Sequence, residues 1–314
     1  MAEDNGIHRR RLMATAGITA LAAPFIARGG SAIAADGEMM ETAQAPRTDS
    51  FSLGDFKLVV VEDGTRVMEN PGDTFGTGQD PADVAVLLEE NFLPEDKMVN
   101  GFAPVLVDTG EQTILFDTGM GPAGRSWGAG QLMAGLKANG YQPGDIDVVV
   151  ITHMHGDHIM GLMEEDGPAF PNASYVFGEK EYAFWSDEAR VGTPAEGGHE
   201  SVKKLIVPLA DQARFITGGD EVAPGITAME AFGHTPGHMI FMLESGGRQL
   251  LLTADTANHY VLSLQRPDWQ VRFDMVAAEK IPFLGYHMPF PSVGYVEKTG
   301  EGYMFMPKTY QFAL

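Results

Sequence analysis

The sequence predicts an α/β fold in which a mixed β-sheet is covered by helices and two sheets pack together. Short apolar runs bounded by glycine, aspartate or proline recur along the chain, as is typical of buried strands. Amphipathic segments with the helical period lie between some of these runs. Because some strands come in hairpin-like pairs while others alternate with helices, the sheet is expected to be mixed.

The individual elements follow from the same patterns. Eight runs are predicted to be strands, at residues 56–62, 102–107, 113–117, 148–152, 174–177, 226–231, 239–243 and 249–254. Four segments are predicted to be helices, at residues 82–90, 131–139, 179–186 and 268–280. Gly140 is a stop signal directly after the second of these helices.

The composition is that of an ordinary globular chain. Of the 314 residues, 44% are apolar and 20% are charged, and residues 51–314 are long enough to form one large domain. The net charge of −22 disfavours nucleic acid as a partner, because an acidic surface repels phosphate backbones. The body of the chain lacks a long apolar run, so no membrane span is predicted. The absence of cysteine excludes disulfides, a thiol nucleophile and thiolate metal ligands.

Residues 1–34 have the pattern of a signal peptide of the twin-arginine type. The arginine run at residues 9–11 is followed by a weakly apolar stretch and by a small-residue cleavage site that ends at Ala34. We therefore predict export to the periplasm or the medium, and a disordered basic tail followed by a short helix is the alternative. Residues 35–50 are small and polar, and are predicted to form a loose linker.

Three histidines and an aspartate follow the predicted strand at residues 148–152 within six positions. They are His153, His155, Asp157 and His158. At the end of a strand these side chains can converge on one cleft, and imidazole nitrogen and carboxylate oxygen are natural ligands for zinc and similar divalent ions. The chain has nine histidines in all, so such a cluster is improbable by chance, and burying it without partners would be costly.

Three later residues are further candidate ligands. His234 lies in a Gly-His-Thr-Pro-Gly-His run, whose glycines allow the backbone to approach a site closely. Asp255 ends an apolar strand, where one carboxylate could bridge two ions, although an ordinary turn aspartate would look the same. His287 follows the apolar run at residues 281–286. His238 is predicted to support the site without binding metal.

This order of motifs resembles the metallo-β-lactamase superfamily. The chain runs 76 residues from His158 to His234, 21 more to Asp255 and 32 more to His287, which matches the dinuclear hydrolases of that family. The run Phe-Asp-Thr-Gly that contains Asp117 resembles the family's first motif, in which the aspartate supports the ligands from behind. The resemblance implies an αβ/βα sandwich with two metal ions at one edge.

The resemblance also implies a role for each ligand. One ion would be held by His153, His155 and His234, the other by Asp157, His158 and His287, and Asp255 would bridge them. Asp157 and Asp255 are the implied catalytic carboxylates: Asp255 holds the metal pair, and Asp157 orients a hydroxide or shuttles protons. We expect two divalent ions, with zinc first and manganese, iron or cobalt also compatible.

Within the superfamily the chain is most similar to the methyl parathion hydrolase group. Shared features include the Thr-His-Met-His run from Thr152, the Phe184-Trp185 pair and the tail at residues 289–295. The group implies a hydroxide held between two metals that attacks a phosphotriester, an aryl ester or a lactone, and it suggests a homodimer. Several lactonases of the family carry a tyrosine three residues after the bridging aspartate, where this chain has Asn258, with Tyr260 two residues further on.

The substrate pocket is expected to be apolar with few polar anchors. Trp185 is the first candidate, because it matches an aromatic position of the hydrolase group, and Trp127 is the second. Three phenylalanines could join them, although packing in the core is the stronger expectation for each: Phe75, Phe92 and Phe102. Of the remaining histidines, His259 is expected at the surface or behind the ligands, and His199 in a solvated glycine-rich loop.

Four other functions compete with the leading hypothesis. The first is a quorum-signal lactonase that acts on acyl-homoserine lactones. The second is a β-lactam hydrolase, which the lack of a cysteine ligand disfavours. The third is a metal-binding protein without catalysis, which an intact ligand set does not exclude. A nuclease is disfavoured by the acidic charge and the export signal.

Overall fold

The computed structural model describes residues 45–76, 79–267 and 273–311. The predicted export signal at residues 1–34 and the linker residues 35–44 lie outside this part of the chain. Within it, no helix has both the length and the apolar character needed to cross a membrane.

Eighteen strands and seven α-helices are formed within the described residues. The strands are β1 Thr48–Leu53, β2 Phe56–Val61, β3 Gly64–Glu69, β4 Lys97–Phe102, β5 Val105–Asp108, β6 Thr113–Phe116, β7 Val148–Ile151, β8 Met163–Glu164, β9 Gly167–Pro168, β10 Ser174–Gly178, β11 Ala213–Ile216, β12 Glu221–Ala223, β13 Ile226–Glu230, β14 Met239–Ser245, β15 Arg248–Ala254, β16 Phe283–Gly285, β17 Val293–Thr299 and β18 Gly302–Pro307. The helices are α1 Pro81–Glu90, α2 Gly121–Gly124, α3 Leu132–Ala138, α4 Gly156–Ile159, α5 Glu179–Ser186, α6 Glu196–Leu205 and α7 Asp274–Glu279.

Two seven-stranded sheets form the framework. The first has the order β1-β2-β5-β6-β7-β10-β11, antiparallel from β1 to β6 and parallel from β6 to β11. The second has the order β12 to β18 and is antiparallel except where β15 and β16 run parallel. The pairs β3–β4 and β8–β9 form separate small hairpins. Both main sheets are therefore mixed, as the sequence predicted from its hairpin-like pairs and its strands that alternate with helices.

The two sheets face each other across one buried apolar layer. Phe116 on β6 and Phe241 on β14 meet there with their ring centres 5.0 Å apart, and both are fully buried. Helices α3, α5 and α6 cover the outer face of the first sheet, and α7 covers that of the second. Each sheet thus buries one face on its partner and the other on helices, which confirms the predicted αβ/βα sandwich.

Three element boundaries differ from the sequence prediction for identifiable reasons. The predicted strand at 102–107 is two strands, because Pro104 between them has no N–H to donate to a ladder. Strand β1 begins at Thr48, inside the predicted linker; its first residues are polar and only half-buried, so they lack the apolar pattern of a strand. The predicted helix at 268–280 is described only as Asp274–Glu279, since residues 268–272 lie outside the described part.

Candidate metal centre

The end of β7 delivers the first group of ligand candidates. Alternate residues of an extended segment point to opposite sides, and Met154 is buried in the helix-covered core, so His153 and His155 point the other way. His234 reaches them from the loop between β13 and β14. Nε2 of His153 lies 3.1 Å from Nδ1 of His155 and 3.2 Å from Nε2 of His234, and the last two atoms are 2.9 Å apart.

The second group combines the short helix α4 with two strand ends of the other sheet. Helix α4 contributes Asp157 and His158, Asp255 follows β15, and His287 follows β16. Nε2 of His287 lies 2.9 Å from Asp255 Oδ2, and Nε2 of His158 lies 3.2 Å from Asp255 Oδ1. Asp157 Oδ2 is 3.4 Å from His287 Nε2 and 3.6 Å from His158 Nε2. The four ligand atoms thus enclose one small space.

Asp255 belongs to both groups. Its Oδ2 also lies 3.3 Å from His234 Nε2 and 3.8 Å from His153 Nε2, which are atoms of the first group. The residue before it, Ala254, has the unusual backbone angle φ = 44°, which turns the chain at the strand end. The structure therefore brings the seven predicted ligands into two adjacent groups that share one carboxylate.

The donor set fits two divalent ions. A tetrahedral ion with metal–nitrogen bonds of about 2.0–2.1 Å needs ligand atoms about 3.3 Å apart, close to the nitrogen separations of the first group. In the second group, Nε2 of His158 and Oδ1 of Asp255 are buried without a hydrogen-bond partner. Because an unsatisfied buried polar atom is costly, these two atoms mark a place that a cation would satisfy.

Asp117 fixes the orientation of His158. It is buried at the end of β6 with φ = 60°, and its Oδ2 lies 2.8 Å from His158 Nδ1. The same carboxylate accepts hydrogen bonds from the backbone N–H and the hydroxyl of Thr152. Since the Thr152 hydroxyl donates to Asp117, its oxygen can accept the Nδ1–H of His153, 3.2 Å away. In both histidines Nε2 is left free to bind an ion.

Two further hydrogen bonds orient the second half of the site. Nδ1 of His287 lies 2.7 Å from the carbonyl oxygen of Gly101, which leaves its Nε2 for an ion. Nε2 of His238 accepts the backbone N–H of Asp255 at 3.1 Å, while its Nδ1 lies 3.1 Å from the carbonyl oxygen of Ala231. His238 therefore holds the backbone of Asp255 and binds no ion.

The electrostatics of the two groups differ. Burial lowers the pKa of His153 well below its ordinary value and lowers the pKa of His155 to about 4, so these two imidazoles are neutral. Burial also lowers the pKa of His158 and His287, but Asp255 and its neighbouring carboxylates outweigh it and raise both. The carboxylates of the second group therefore favour a positive charge there, as a bound cation would supply.

Glu181 is a buried site residue that sequence reasoning missed. It lies in the first turn of α5, only 1% exposed, and accepts hydrogen bonds from the loops that carry His153, His155 and His234. A glutamate in an amphipathic helix looks like a surface residue. The only hint is that Trp185, four residues later, shares its helix face.

Tyr286 is a second residue that sequence reasoning missed. Its ring lies against His158 with centres 3.9 Å apart, and its hydroxyl donates to the carbonyl oxygen of Asp157 at 2.6 Å. Burial raises the pKa of this phenol well above its ordinary value. Tyr286 thus stays neutral, and its hydrogen bond to Asp157 helps to hold α4 in place.

The structure gives Trp185 a different place from the predicted substrate pocket. The side chain lies on α5, is 8% exposed and packs in the helix-covered core, and its ring centre is 5.9 Å from that of His155 in an edge-to-face arrangement. Its Nε1–H needs a partner when buried and donates to Glu181 at 2.7 Å. Trp127 is 42% exposed and meets Phe102 edge-on, and Phe102 meets His287 in the same way. Trp127 therefore lies near the mouth of the site.

Other predicted positions have mixed outcomes. Phe75 packs in the core, which was the stronger expectation for it, whereas Phe92 is almost fully exposed. His199 is fully buried on α6 rather than solvated in a loop, because Gly198 beside it leaves room for the Trp185 ring, which a Cβ would approach to 2.3 Å. His259 is also buried, and its Nδ1 accepts the backbone N–H of the two residues that begin the next turn.

Asn258 contacts the shared carboxylate directly. Its Nδ2 donates to Asp255 Oδ2 at 2.8 Å, and the side chain is 9% exposed. It can hold Asp255 in place but offers no acidic proton. Tyr260 lines a nearby surface groove instead.

That groove has a volume of about 670 Å³ and touches the metal centre only through His287. Its walls come mainly from the hairpin β3–β4, the start of the loop after β15 and residues 287–290. Neither Trp185 nor Trp127 lines it. A volume of several hundred Å³ suits a small molecule.

The chain matches known proteins over the part that carries this site. The sequence profile described as Metallo-beta-lactamase superfamily matches residues 104–284, more than half of the chain. The chain belongs to the metallo-β-lactamase superfamily. An N-acyl homoserine lactonase of Bacillus sp is 30% identical over 171 residues, which cover 48% of this chain and 62% of the relative. The N-acyl homoserine lactonase AttM of Agrobacterium fabrum is 32% identical over 131 residues, covering 39% and 45%.

The chain therefore spans less than two thirds of the length of these curated relatives. Two solved structures are similar over most of the metallo-β-lactamase fold. AidC, described as a dizinc quorum-quenching lactonase in complex with a product, has a TM-score of 0.76 and 24% identity, covering 85% of this chain and 99% of AidC. The hydrolase AbOPH has a TM-score of 0.75 and 23% identity, covering 84% and 98%. At this identity the two structures show the shared fold, and the finer likeness to methyl parathion hydrolases stays a prediction.

Proposed function

We propose that this protein is a metal-dependent hydrolase that opens small lactones of the N-acyl homoserine class. The observation that carries the proposal is the position of Asp255, whose carboxylate lies against the ligand atoms of both groups. The curated relatives named as N-acyl homoserine lactonases support the choice of substrate. AidC, described as dizinc, supports two zinc ions as the first candidate.

Two bound divalent ions would supply a Lewis-acidic centre that lowers the pKa of water toward 7 and stabilises the oxyanion formed on attack. The protein's contribution is to hold the ligands rigidly. Asp117 fixes Nδ1 of His158, His238 fixes the backbone N–H of Asp255, and Asn258 donates to Oδ2 of Asp255. Asp255 sets the separation of the two positions because it is the carboxylate common to both.

Asp157 is the carboxylate best placed to move a proton. Its side chain is 23% exposed, whereas those of Asp255 and His287 are 3% exposed and that of His158 is fully buried. It therefore lies on the open side of the second group, where substrate and water arrive. A carboxylate there can take a proton from the attacking water and return it to the leaving oxygen.

The leaving oxygen of a lactone is an alkoxide, a poor leaving group that needs a proton. Asn258 cannot supply one, and the hydroxyl of Tyr286 is committed to the carbonyl oxygen of Asp157. Asp157 is thus the proton donor that remains among the residues at the centre. Aryl leaving groups need little such help, so the presence of Asn258 supports a second candidate function, the cleavage of phosphotriesters or aryl esters.

The two candidates are separated by one comparison. We expect the metal-loaded protein to show a higher kcat/KM on an N-acyl homoserine lactone than on a nitrophenyl phosphotriester. Asp157→Asn should lower the lactone value by about 10²–10⁴-fold, the usual contribution of a general acid or base. Any loss of metal lowers kcat/KM for both substrates alike. The fall in kcat/KM should therefore be at least about tenfold larger for the lactone than for the phosphotriester. A higher wild-type kcat/KM on the phosphotriester would favour the second candidate.

Export is a further proposal, supported by the arginine run and small-residue site within residues 1–34. Cell fractionation should find a shortened protein outside the cytoplasm, and lysine in place of Arg9 and Arg10 should retain it inside. Export that is indifferent to these arginines would contradict the twin-arginine route. A homodimer stays a prediction of the family resemblance.

A further inference from the structure

Glu181 is a buried carboxylate whose two oxygens are fully used. Oε1 accepts the backbone N–H of Met154 at 2.9 Å and the indole N–H of Trp185 at 2.7 Å. Oε2 accepts the hydroxyl of Thr235 and the backbone N–H of Gly237, both at 2.8 Å. The residue is 1% exposed. Because four donors converge on it, the group fits as an ionised carboxylate, which is an acceptor at both oxygens.

No cation balances this charge directly. Within the described part of the chain, Glu181 forms no ion pair with lysine, arginine or histidine. A buried charge without a counter-ion is costly unless oriented dipoles satisfy it. The four donors supply those dipoles, so the loops that carry them are held to the positions that Glu181 requires.

The donors belong to two different ligand loops. Met154 lies between His153 and His155 at the end of β7, in the first sheet. Thr235 and Gly237 lie one and three residues after His234, in the loop between two strands of the second sheet. Oε1 thus binds one loop and Oε2 the other. A single side chain connects the loops whose three nitrogens form the first metal group.

The surrounding chain is built for this close contact. A Cβ on Gly237 would lie 2.1 Å from the backbone nitrogen of Glu181, so only glycine lets the His234 loop approach α5 this closely. Trp185, held by the same carboxylate, meets His155 in an edge-to-face arrangement with the ring centres 5.9 Å apart. Glu181 therefore fixes the backbone of the ligand loops directly and the ring of His155 through Trp185.

We propose that Glu181 is a positioning residue that sets the spacing of the His153, His155 and His234 nitrogens, and with it the affinity of the first metal position. It touches neither a reacting atom nor an ion. The inference shares the metal centre with the proposed function but does not depend on the substrate. It can therefore be tested without any turnover.

Glu181→Gln is the first test, because it keeps the size of the side chain. The amide retains one acceptor oxygen, which can serve one loop, while its NH₂ group faces the donors of the other loop. The N–H of Gly237 or of Met154 then opposes a donor, and one ligand loop is released. Loss of such a supporting contact usually lowers metal affinity by about 10–100-fold.

Asp63→Asn is the matched control. Asp63 is also a fully buried carboxylate held by backbone amides, accepting the N–H of Met120, Gly130 and Leu132. None of these donors lies in a ligand loop. The control therefore reproduces the cost of changing a buried carboxylate to an amide without touching the first metal group.

Metal-free protein is titrated with Co²⁺ against a chromogenic chelator, and the visible spectrum of the bound cobalt is recorded. In Glu181→Gln, one of two Co²⁺ sites should weaken at least tenfold and its spectrum should change, while Asp63→Asn keeps both. Should Glu181→Gln fail to fold, Thr235→Val, which removes one of the four donors, should weaken the same site by a smaller factor. Unchanged affinities and spectra in the variant that folds, or an equal loss in Asp63→Asn, would overturn the proposal.

Discussion

Asp117→Asn replaces one oxygen by an NH₂ group, and it should weaken metal binding at the second position through the ligand His158. The carboxylate faces three donors: Nδ1 of His158 at 2.8 Å, and the backbone N–H and hydroxyl of Thr152, both at 2.9 Å. An amide has one oxygen and one NH₂ group. If its oxygen serves the Thr152 N–H, its NH₂ faces Nδ1–H of His158, and in the flipped orientation the NH₂ faces the backbone N–H. Either way two donors oppose each other.

The first orientation is relieved when His158 moves its proton from Nδ1 to Nε2. That places a proton on the atom that should bind the ion, so binding must reverse the shift. Replacing a charge-assisted hydrogen bond of about 1.5–3 kcal/mol by a neutral one of about 0.5–1.5 kcal/mol adds to the cost. A total near 1.4–2.8 kcal/mol corresponds to a 10–100-fold loss of metal affinity, the range usual for residues that orient a histidine ligand.

Metal content after dialysis and competition with a chelator measure this loss. The variant should retain about one ion under conditions in which the wild type retains two. Asp147→Asn is the control, because Asp147 accepts the backbone N–H of Thr113 at 2.8 Å on the exposed rim of the same sheet. If Asp117→Asn kept two ions at wild-type affinity, the argument that Asp117 fixes the His158 tautomer would be refuted.

Three further predictions follow. Removing both ions should lower Tm by about 10–20 °C in a calorimetric scan, because each of the two sites contributes about 2.7 kcal/mol at a hundredfold excess over Kd and 1 kcal/mol shifts Tm by about 2–4 °C. Asn258→Leu should lower kcat/KM about tenfold on every substrate, because it removes a hydrogen bond of about 1.5 kcal/mol to Asp255. Burial lowers the pKa of His259 to about 4, so its contribution to stability is complete above pH 6.5 and is lost as the pH falls toward 4, by about 3 kcal/mol. In urea unfolding, His259→Gln should flatten this part of the pH dependence.

Each of these has a clear contrary result. An unchanged Tm after chelation would mean that the ligand groups are not coupled to folding. A loss in Asn258→Leu confined to lactones would make Asn258 a substrate contact rather than a support for Asp255. If the free energy of unfolding depended on pH identically in His259→Gln and the wild type, His259 would be protonated to the same extent in the folded and unfolded states.

The ligands at strand ends could be predicted from the sequence, because their residue types favour metal binding and the geometry of a strand places them on one side. His153 and His155 stand two apart at the end of an apolar strand, so an extended backbone alone places them on one side. Asp255 likewise follows an apolar run directly. The distances from His158 to His234 and to His287 along the chain carry no geometry of their own, and only the family resemblance grouped them.

Asp117 and His238 could be predicted as supporting residues, Asp117 through the family resemblance, but Glu181 could not. Two of the four donors to this carboxylate are backbone amides, and backbone amides leave no signature in a sequence. Trp185 was expected at the substrate, but its indole N–H and its ring are satisfied inside the core. His199 was expected in a loop because of two neighbouring glycines, and the low helix propensity of glycine is overridden by the packing of Gly198 against that same ring.

We propose that two ions sharing Asp255 carry out the hydrolysis. The most direct test adds Zn²⁺ stepwise to metal-free protein while the opening of an N-acyl homoserine lactone is followed, with Asp255→Ala in parallel. We predict that turnover reaches its full rate only as the second equivalent binds, and that Asp255→Ala stays folded but inactive. Full turnover in the metal-free protein, with a single equivalent, or in Asp255→Ala would contradict the claim.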